Sequence, residues 1–399
     1  MNPALSRALI TFSLILAQPI AAQGDGFPHD DETIGTVREI YDGALYPDEQ
    51  VNTFRNIHRL FPTRRVPAGE NPYPLPHAAQ PLKAFSFESA GKSYDLYDVL
   101  SLNRVSGILI VKDGEVLFEK YLLGNHRDTR WMSMSVVKSI TATLVGMAIH
   151  DGYIASIDDP LTDYLPAFKD TAYDGVTVRH LLQMASGVAW NETYTDPTSD
   201  RRSMLEAQIS QEPGSILALM GSLERRHPPG AVQHYSTGET QVVGALVAAA
   251  TGQPVADYLS EKVWRPFGMA SDASWWLGSP EGLEIGGSGL SATLRDYARF
   301  GLFMLNGGMI NGEPTLPAGW IADATSPGPN PMYGSEYGYM WWLLEMDAYA
   351  AIGIFGQFIY IHPESNLVVA MLGAQPKPEG KEGVDPYEFF KALTVKLAD

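Results

Sequence analysis

A long apolar run about a third of the way along the chain constrains the fold more than any other feature. It extends from Trp131 to His150 and is followed by Asp151-Gly152, which is a typical helix stop. The run predicts a buried helix from about Ser135 to His150. The side chains that would surround its first turns are apolar and indicate a dry environment: Val136, Val137, Ile140 and Leu144.

The same run places a serine and a lysine three residues apart. Ser135 and Lys138 would lie on one face of the helix, close enough to share a proton. A serine hydroxyl is a weak nucleophile until a base takes its proton, and an uncharged lysine can be that base. Burial lowers the pKa of a lysine, so the pair predicts an acylating serine. Ser-x-x-Lys alone is weak evidence, because many serines only cap helices.

Composition narrows the classes of partner. The net charge of −18 argues against nucleic acid and against an anionic membrane surface. The chain has no cysteine, which excludes disulfides, thiolate metal sites and a cysteine nucleophile. The nine histidines show no His-Glu-x-x-His or similar spacing. We therefore expect a small-molecule substrate and neither a metal nor a cofactor, with no prediction of the oligomeric state.

Residues 1–22 are typical of an export signal. Arg7 is the charged residue, the stretch from Ala8 to Leu16 is apolar, and Pro19-Ile20-Ala21-Ala22 offers a small-residue cleavage site. The apolar stretch is too short to span a bilayer, so we expect no stable membrane insertion. The sequence predicts a periplasmic or secreted protein; the alternative is a buried first helix.

The rest of the chain divides into a strap and a catalytic domain. Residues 23–85 are rich in proline, which breaks helices and does not fit inside sheets, and they predict an extended strap over the catalytic unit. A disordered linker is the alternative. Residues 86–399 predict one domain, because sheet patterns at its two ends enclose helical patterns at about 158–271.

The individual elements of that domain follow from local patterns. Asp113-Gly114 between two β-rich runs predicts a hairpin. The fold class is therefore α+β: an antiparallel sheet flanked by helices, plus an all-α subdomain, with the active site in the cleft between them. The predicted strands and helices are Gly107–Lys112, Glu115–Tyr121, Val178–Met184, Thr240–Thr251, Val255–Val263, Tyr337–Glu345, Tyr349–Ile354, Phe358–His362, Leu367–Leu372 and Pro386–Leu397.

Two further segments carry candidate catalytic groups. Tyr235 stands just before a predicted helix, where its phenol can share the proton of Lys138 and pass it to a leaving group; the alternative is a tyrosine packed in a loop. The segment around Gly356 and Gln357 lies beside a late strand, where glycine lets an amide approach a substrate and form an oxyanion hole with the amide of Ser135. A bulge in the strand is the alternative.

Read in this order, the three segments resemble those of the serine hydrolases related to class C β-lactamases, penicillin-binding DD-peptidases and family VIII carboxylesterases. That family uses Ser-x-x-Lys, then Tyr-x-Asn, then a Lys-Thr-Gly-like element on a strand. The matching segments here are Ser135-Val136-Val137-Lys138, Tyr235-Ser236-Thr237 and Ile354-Phe355-Gly356 or its neighbour. The resemblance covers roughly Gly107 to the end of the chain and implies a β-lactamase/DD-peptidase-like fold.

Within that family, the loop around Tyr194 is similar to the tyrosine-bearing loop of 6-aminohexanoate-dimer hydrolases, and Gly356-Gln357 is similar to their third motif. The resemblance implies that Tyr194 closes over the substrate. Two departures stand out. Phe355 occupies the place of a cation or polar side chain, which implies that penicillins are poor substrates. Thr237 replaces the usual asparagine, which removes an amide that orients the lysine and the substrate.

The prediction is an exported serine hydrolase of small amides or esters, 6-aminohexanoate-dimer-hydrolase-like or carboxylesterase-like, that forms an acyl-enzyme on Ser135. Lys138 with Tyr235 would take the proton of Ser135, and the amide of Ser135 plus one near Gln357 would bind the oxyanion. Alternatives are a DD-peptidase or D-amino-acid peptidase, a weak β-lactamase, and a non-catalytic cell-wall-binding member of the family. The residues expected to contact the substrate or its oxyanion are Gly356, Gln357, Tyr194 and Phe355.

Overall fold

The structure is a computed structural model that describes residues 28–331, 334, 336–379 and 382–398. The predicted export signal, residues 1–22, lies outside the described residues. The proposed domain boundaries stay predictions.

The strands and helices are numbered separately along the chain. The strands are β1 Thr63–Val66, β2 Ser86–Ser89, β3 Lys92–Asp95, β4 Val105–Lys112, β5 Glu115–Tyr121, β6 Arg130–Met132, β7 Ala273–Trp276, β8 Leu290–Thr293, β9 Met309–Ile310, β10 Glu313–Pro314, β11 Trp342–Leu343, β12 Tyr349–Gly353, β13 Gln357–His362 and β14 Leu367–Gly373. The helices are α1 Val37–Asp42, α2 Pro47–Arg55, α3 Leu96–Leu102, α4 Val136–His150, α5 Leu161–Tyr164, α6 Val178–Leu182, α7 Asp200–Ser210, α8 Ser215–Ser222, α9 Thr237–Thr251, α10 Val255–Leu259, α11 Leu294–Leu305, α12 Trp320–Ala324 and α13 Pro386–Ala398.

The main sheet joins strands from the two ends of the domain. Its order within the described residues is β11-β12-β13-β14-β4-β5, and all neighbours are antiparallel. The predicted β4–β5 hairpin is confirmed: Asp113 and Gly114 have φ values of 53° and 81°. Two consecutive positive φ values are typical of the tight turns that match the twist of paired strands. The late strands return to pair with β4, which closes the sheet.

Alternate residues of β4 enter two different cores. Leu109 and Val111 pack into the large core that contains α4, whereas Ile108 and Ile110 pack with the aromatic rings of α13. Successive side chains of a strand point to opposite faces, so a strand that is apolar throughout must be covered on both faces. The sheet therefore lies between α13 on one side and α4 with α11 on the other, and the predicted α+β class is confirmed.

Helix α4 is buried on nearly every side. Of its residues, Val136 to Ala148 are all buried, with the sheet and α9 among its neighbours. A helix that is apolar all round needs protein on all faces. Residues 158–271 supply this cover on the side away from the sheet: they hold α5 to α10 and a π-helical segment, Ser260–Gly268, which continues α10.

The N-terminal segment is more regular than the prolines predict. Three parts of the predicted extended strap form regular elements: α1, α2 and β1. Thr36 and Glu39 form a capping box that starts α1. Pro62 and Pro67 flank β1 instead of interrupting it, so β1 pairs as the edge strand of a second sheet, β1-β7-β8-β6. Sequence analysis did not predict this sheet, because its strands have only three or four residues.

One predicted strand is much shorter than expected. Of the predicted strand over 337–345, only Trp342–Leu343 joins the main sheet; the chain turns at Met340, whose φ is 58°, and Tyr337 forms an isolated bridge with Trp342. Among the described residues no single helix is long and apolar enough to cross a membrane; the pair Thr237–Thr251 and Val255–Gly268 meets the length and composition criteria together but bends by 76°.

The packing of α11 on the sheet can be tested at a glycine. A Cβ at Gly301 would lie 2.5 Å from Val368 and 2.9 Å from Ile359, both in the sheet. We expect Gly301→Ala to lower the free energy of unfolding by about 1–3 kcal/mol through overpacking. Gly221→Ala in α8 is the matched control, because its Cβ would have no neighbour nearer than 3.8 Å.

That control should raise the free energy of unfolding by up to about 1 kcal/mol, since alanine favours a helix over glycine. Denaturant unfolding followed by circular dichroism measures both values. Equal stability changes in the two variants would contradict the tight packing of α11.

Candidate active site

Ser135 sits at a sharp turn between a strand and a helix. Strand β6 ends at Met132, and α4 begins at Val136 with Ser135 as its N-cap residue. Met134 has a φ of 41°, in the left-handed region that side chains other than glycine rarely adopt. Pairing of β6 with β8 and a bond from the amide of Ser133 to Leu290 O hold the turn in place. The turn leaves Ser135 9% exposed and lining a cleft.

Lys138 is directly beside this hydroxyl. Its Nζ lies 2.9 Å from Ser135 Oγ and donates to Gly287 O at 2.9 Å. The side chain is 1% exposed, and burial lowers the pKa of Lys138 to about 7, with Glu192 opposing the shift and Arg201 adding to it. Since burial disfavours the ammonium form, a large share of the amine is neutral near neutral pH. It can therefore accept the proton of Ser135.

Tyr235 faces the same pair from the N-terminal end of α9. Its ring centroid lies 5.2 Å from Lys138 Nζ, and the Ser135 side chain is close enough to lower the pKa of its phenol. The ring stacks on Trp342, with 5.5 Å between the ring centroids. Burial, and then the charge of Glu192, raise the pKa of Tyr235 far above that of a free phenol. The phenol therefore stays protonated in this site, and the three residues predicted as catalytic lie together.

The third predicted segment reaches the site at a different residue from the one expected. Gly353, the last residue of β12, lies against the nucleophile turn: a Cβ there would be 3.0 Å from Ser135 N and 2.6 Å from Ser133 O. Ile354, Phe355 and Gly356 form the turn that follows. The backbone next to the amide of Ser135 is therefore that of Gly353, which precedes Gln357 by four residues.

Gln357 supports this turn from behind. It is fully buried; its Oε1 accepts from the indole of Trp131 at 3.0 Å, and its Nε2 donates to Gly373 O at 2.8 Å. It does not line the cleft formed by the described residues. Phe355 and Gly356 do line it, but the ring of Phe355 packs on Phe54 of α2, with 5.0 Å between the ring centroids.

Tyr194 lies on the opposite wall of the cleft and is largely buried. Its ring stacks on Tyr41 of α1, with 6.3 Å between the ring centroids, and Arg201 lies over the other ring of this pair at 4.3 Å. Arg202, on the helix that follows the loop, pairs with Asp42 at 2.6 Å. The N-terminal segment therefore supports the loop that carries Tyr194.

Sequence analysis missed two residues of the site. The Gly287 carbonyl binds Lys138, and a Cβ at Gly287 would lie 3.2 Å from Lys138 Nζ. The glycine pair Gly286-Gly287 was the available signal. Glu192 accepts from Thr237 N at 2.9 Å and from Thr237 Oγ1 at 2.5 Å. No spacing rule predicts that contact, because the two residues are 45 positions apart.

The cleft has a volume of about 1250 Å³ and extends well beyond Ser135. Near the nucleophile its walls are aromatic, and towards α13 its rim carries acidic side chains. The described residues contain no cluster of three or more histidine or carboxylate side chains that could hold a metal ion. The aromatic walls are Trp190, Tyr194, Tyr235 and Trp342, and the acidic rim is Glu379, Glu382, Asp385 and Glu388.

Comparisons with known proteins agree with this geometry. The family model described as Beta-lactamase matches residues 104–393. The chain is 28% identical over 343 residues to the 6-aminohexanoate-dimer hydrolase of Paenarthrobacter ureafaciens, which covers 82% of this chain and 86% of that protein. It is 32% identical over 165 residues to Esterase EstB of Burkholderia gladioli, which covers 40% of this chain and 41% of the esterase.

A solved structure described as "Putative 6-aminohexanoate-dimer hydrolase from Bacillus anthracis" superposes with a TM-score of 0.79 at 22% identity, over 92% of this chain and 97% of that one. The predicted fold and the predicted resemblance are confirmed.

The buried amine predicts a pH dependence. Because only the neutral form of Lys138 can accept a proton, kcat/KM for an uncharged ester should be low in acid and rise with pH to a plateau, with a midpoint at about 7. A titration of initial rates from about pH 5 to pH 9, with stability checked at each end, measures the midpoint. A flat profile over that range would exclude Lys138 as the base.

Proposed function

The chain belongs to the beta-lactamase family of serine hydrolases, and from this premise we propose that it cleaves small amide or ester bonds through an acyl-enzyme on Ser135. The observation that supports the proposal best is the 2.9 Å contact between Ser135 Oγ and the buried amine of Lys138. An activated serine beside a lowered-pKa amine is the arrangement that nucleophilic catalysis needs.

The proposed reaction begins with transfer of the Ser135 proton to the neutral amine of Lys138, while Oγ attacks the carbonyl carbon. The negative charge that develops on the carbonyl oxygen would be stabilised by the amide of Ser135 and an amide of the turn after Gly353. Tyr235 then gives its proton to the departing nitrogen or oxygen and recovers one from the Lys138 ammonium. In the second half, water attacks the acyl group, Lys138 takes a proton from the water, and Lys138 returns that proton to Ser135 Oγ as it leaves the acyl carbon.

For the substrate we propose a small amide or ester similar to those named for the relatives, of which one is a 6-aminohexanoate-dimer hydrolase and another an esterase. Two features support this choice. Tyr194 lines the same cleft as Ser135 and Tyr235, on a wall that a bound substrate would contact. The third segment presents the turn at Phe355 and no cation for a substrate carboxylate.

A substrate panel tests the proposal. It contains short p-nitrophenyl esters, ω-amino-acid amide oligomers and benzylpenicillin, and it is run with the wild type and with Ser135→Ala. We expect turnover of at least one ester or amide, and loss of nearly all of it in the variant, because Oγ is the attacking atom. The variant should keep the melting temperature of the wild type, since only one small hydroxyl is removed.

Wild-type-like turnover in Ser135→Ala would end the mechanism. Benzylpenicillin should be a poor substrate because the third segment lacks a cation for its carboxylate. Efficient hydrolysis of benzylpenicillin would contradict the proposed substrate class but would be compatible with the proposed acyl-enzyme mechanism.

We also propose that the protein is exported, on the pattern of residues 1–22 alone. Expression of the full chain in a Gram-negative host should yield periplasmic protein whose N-terminus, read by mass spectrometry, lies close after Ala22. Cytoplasmic protein that retains Met1 would contradict export.

A further inference from the structure

The carboxylate of Glu192 connects two parts of the active site that come from different regions of the chain. One oxygen accepts from Thr237 Oγ1 at 2.5 Å; the other accepts from Thr237 N at 2.9 Å and from the indole of Trp190. Thr237 is the first residue of α9. The negative charge therefore lies at the N-terminus of a fifteen-residue helix, where the free amides and the helix dipole stabilise it.

This contact fixes the catalytic segment from both sides. Tyr235 is two residues before Thr237, and Tyr194 is two residues after Glu192. Thr237 also packs beside the amine: the position of a Cβ on Gly287 is 2.9 Å from Thr237 Cγ2 and 3.2 Å from Lys138 Nζ. The bond between Glu192 and Thr237 thus sets the distance between the phenol of Tyr235 and the loop of Tyr194.

The charge of Glu192 acts on both candidate proton acceptors, Lys138 and Tyr235. It stabilises the ammonium form of Lys138 and destabilises the phenolate form of Tyr235, so the pKa of each is higher than it would be without Glu192. A higher pKa makes the amine a better acceptor and keeps the phenol protonated. Other charged or titratable groups that interact with Lys138 or Glu192 are Arg201, Tyr194, His234 and Tyr337.

We propose that Glu192 is a positioning residue that keeps Lys138 a strong enough base to accept the Ser135 proton. It does so by holding a negative charge at the start of α9, bonded to Thr237. This inference rests on the proposed function, since it concerns the proton transfer in the same reaction.

The test compares Glu192→Gln with Asp196→Asn. Glutamine keeps the size and one acceptor oxygen of Glu192 but removes the charge. Asp196 lies on the same loop and its carboxylate contacts Thr198, so its replacement removes an equal charge away from α9. The rate of labelling by a fluorophosphonate probe and the rate of ester hydrolysis are measured against pH for each protein, together with the melting temperature.

In Glu192→Gln the midpoint of the rise in labelling rate should move to lower pH by about half a unit to one unit, because the amine loses its stabilising anion. The plateau rate should fall by roughly threefold or more, since a weaker base transfers the proton more slowly. Asp196→Asn should keep the wild-type midpoint.

The outcomes separate this inference from the proposed function. A wild type that is labelled with a pH-dependent rate, beside a Glu192→Gln variant with the same midpoint and plateau, overturns the inference alone. A wild type that is not labelled at any pH overturns the proposed function and the inference with it. If Glu192→Gln does not fold, Thr237→Val tests the same bond from the other side: a lower plateau supports the positioning role, and an unchanged plateau overturns it.

Discussion

The structure depends on keeping one amine out of water. Lys138 can serve as a base only if its ammonium form is disfavoured, and burial supplies most of that effect. The architecture is consistent with this need. Helix α4 carries the lysine through the middle of the molecule, between the main sheet and the helices of residues 158–271. Exposure of the first turn of α4 would restore an ordinary lysine, and the hydroxyl of Ser135 would lose its base.

Much of the fold follows from local sequence because its main elements are long or have strong signals. Asp113-Gly114 specifies its hairpin through two positive φ values, and the apolar run at α4 has the length of a helix and a clear stop. The second sheet, β1-β7-β8-β6, has no such signal. Its strands are short, and the pairs β1–β7 and β6–β8 join residues more than 150 positions apart, as at Met132 and Ser291. Such pairing is decided by tertiary packing.

The residues of the site also divide into those with a local sequence signal and those placed by tertiary packing. Ser135 and Lys138 could be predicted because helical geometry alone brings positions three apart together. The position of the third segment could not, because it depends on where the turn between β12 and β13 falls. The sequence predicts the segment Ile354-Phe355-Gly356 or its neighbour, with an amide near Gln357. In the structure Gly353 packs against the Ser135 amide, and Gln357 bonds Trp131 and Gly373. Glu192 and Gly287 reach the site through contacts between distant segments and carry no spacing signal.

The candidate catalytic residues and the walls of the cleft that would contact a substrate lie on different elements. Ser135, Lys138 and Tyr235 are held by the N-terminal ends of α4 and α9, which the core fixes. The walls come from the loop around Tyr194, which the N-terminal segment supports, and from the rim at α13. A change in either wall can alter the substrate without moving the base. This separation is a physical reason why the relatives of this chain can have names as different as 6-aminohexanoate-dimer hydrolase and Esterase EstB. Glu192 is the exception, because it belongs to the loop and also bonds α9, so substitutions there should change rate and substrate choice together.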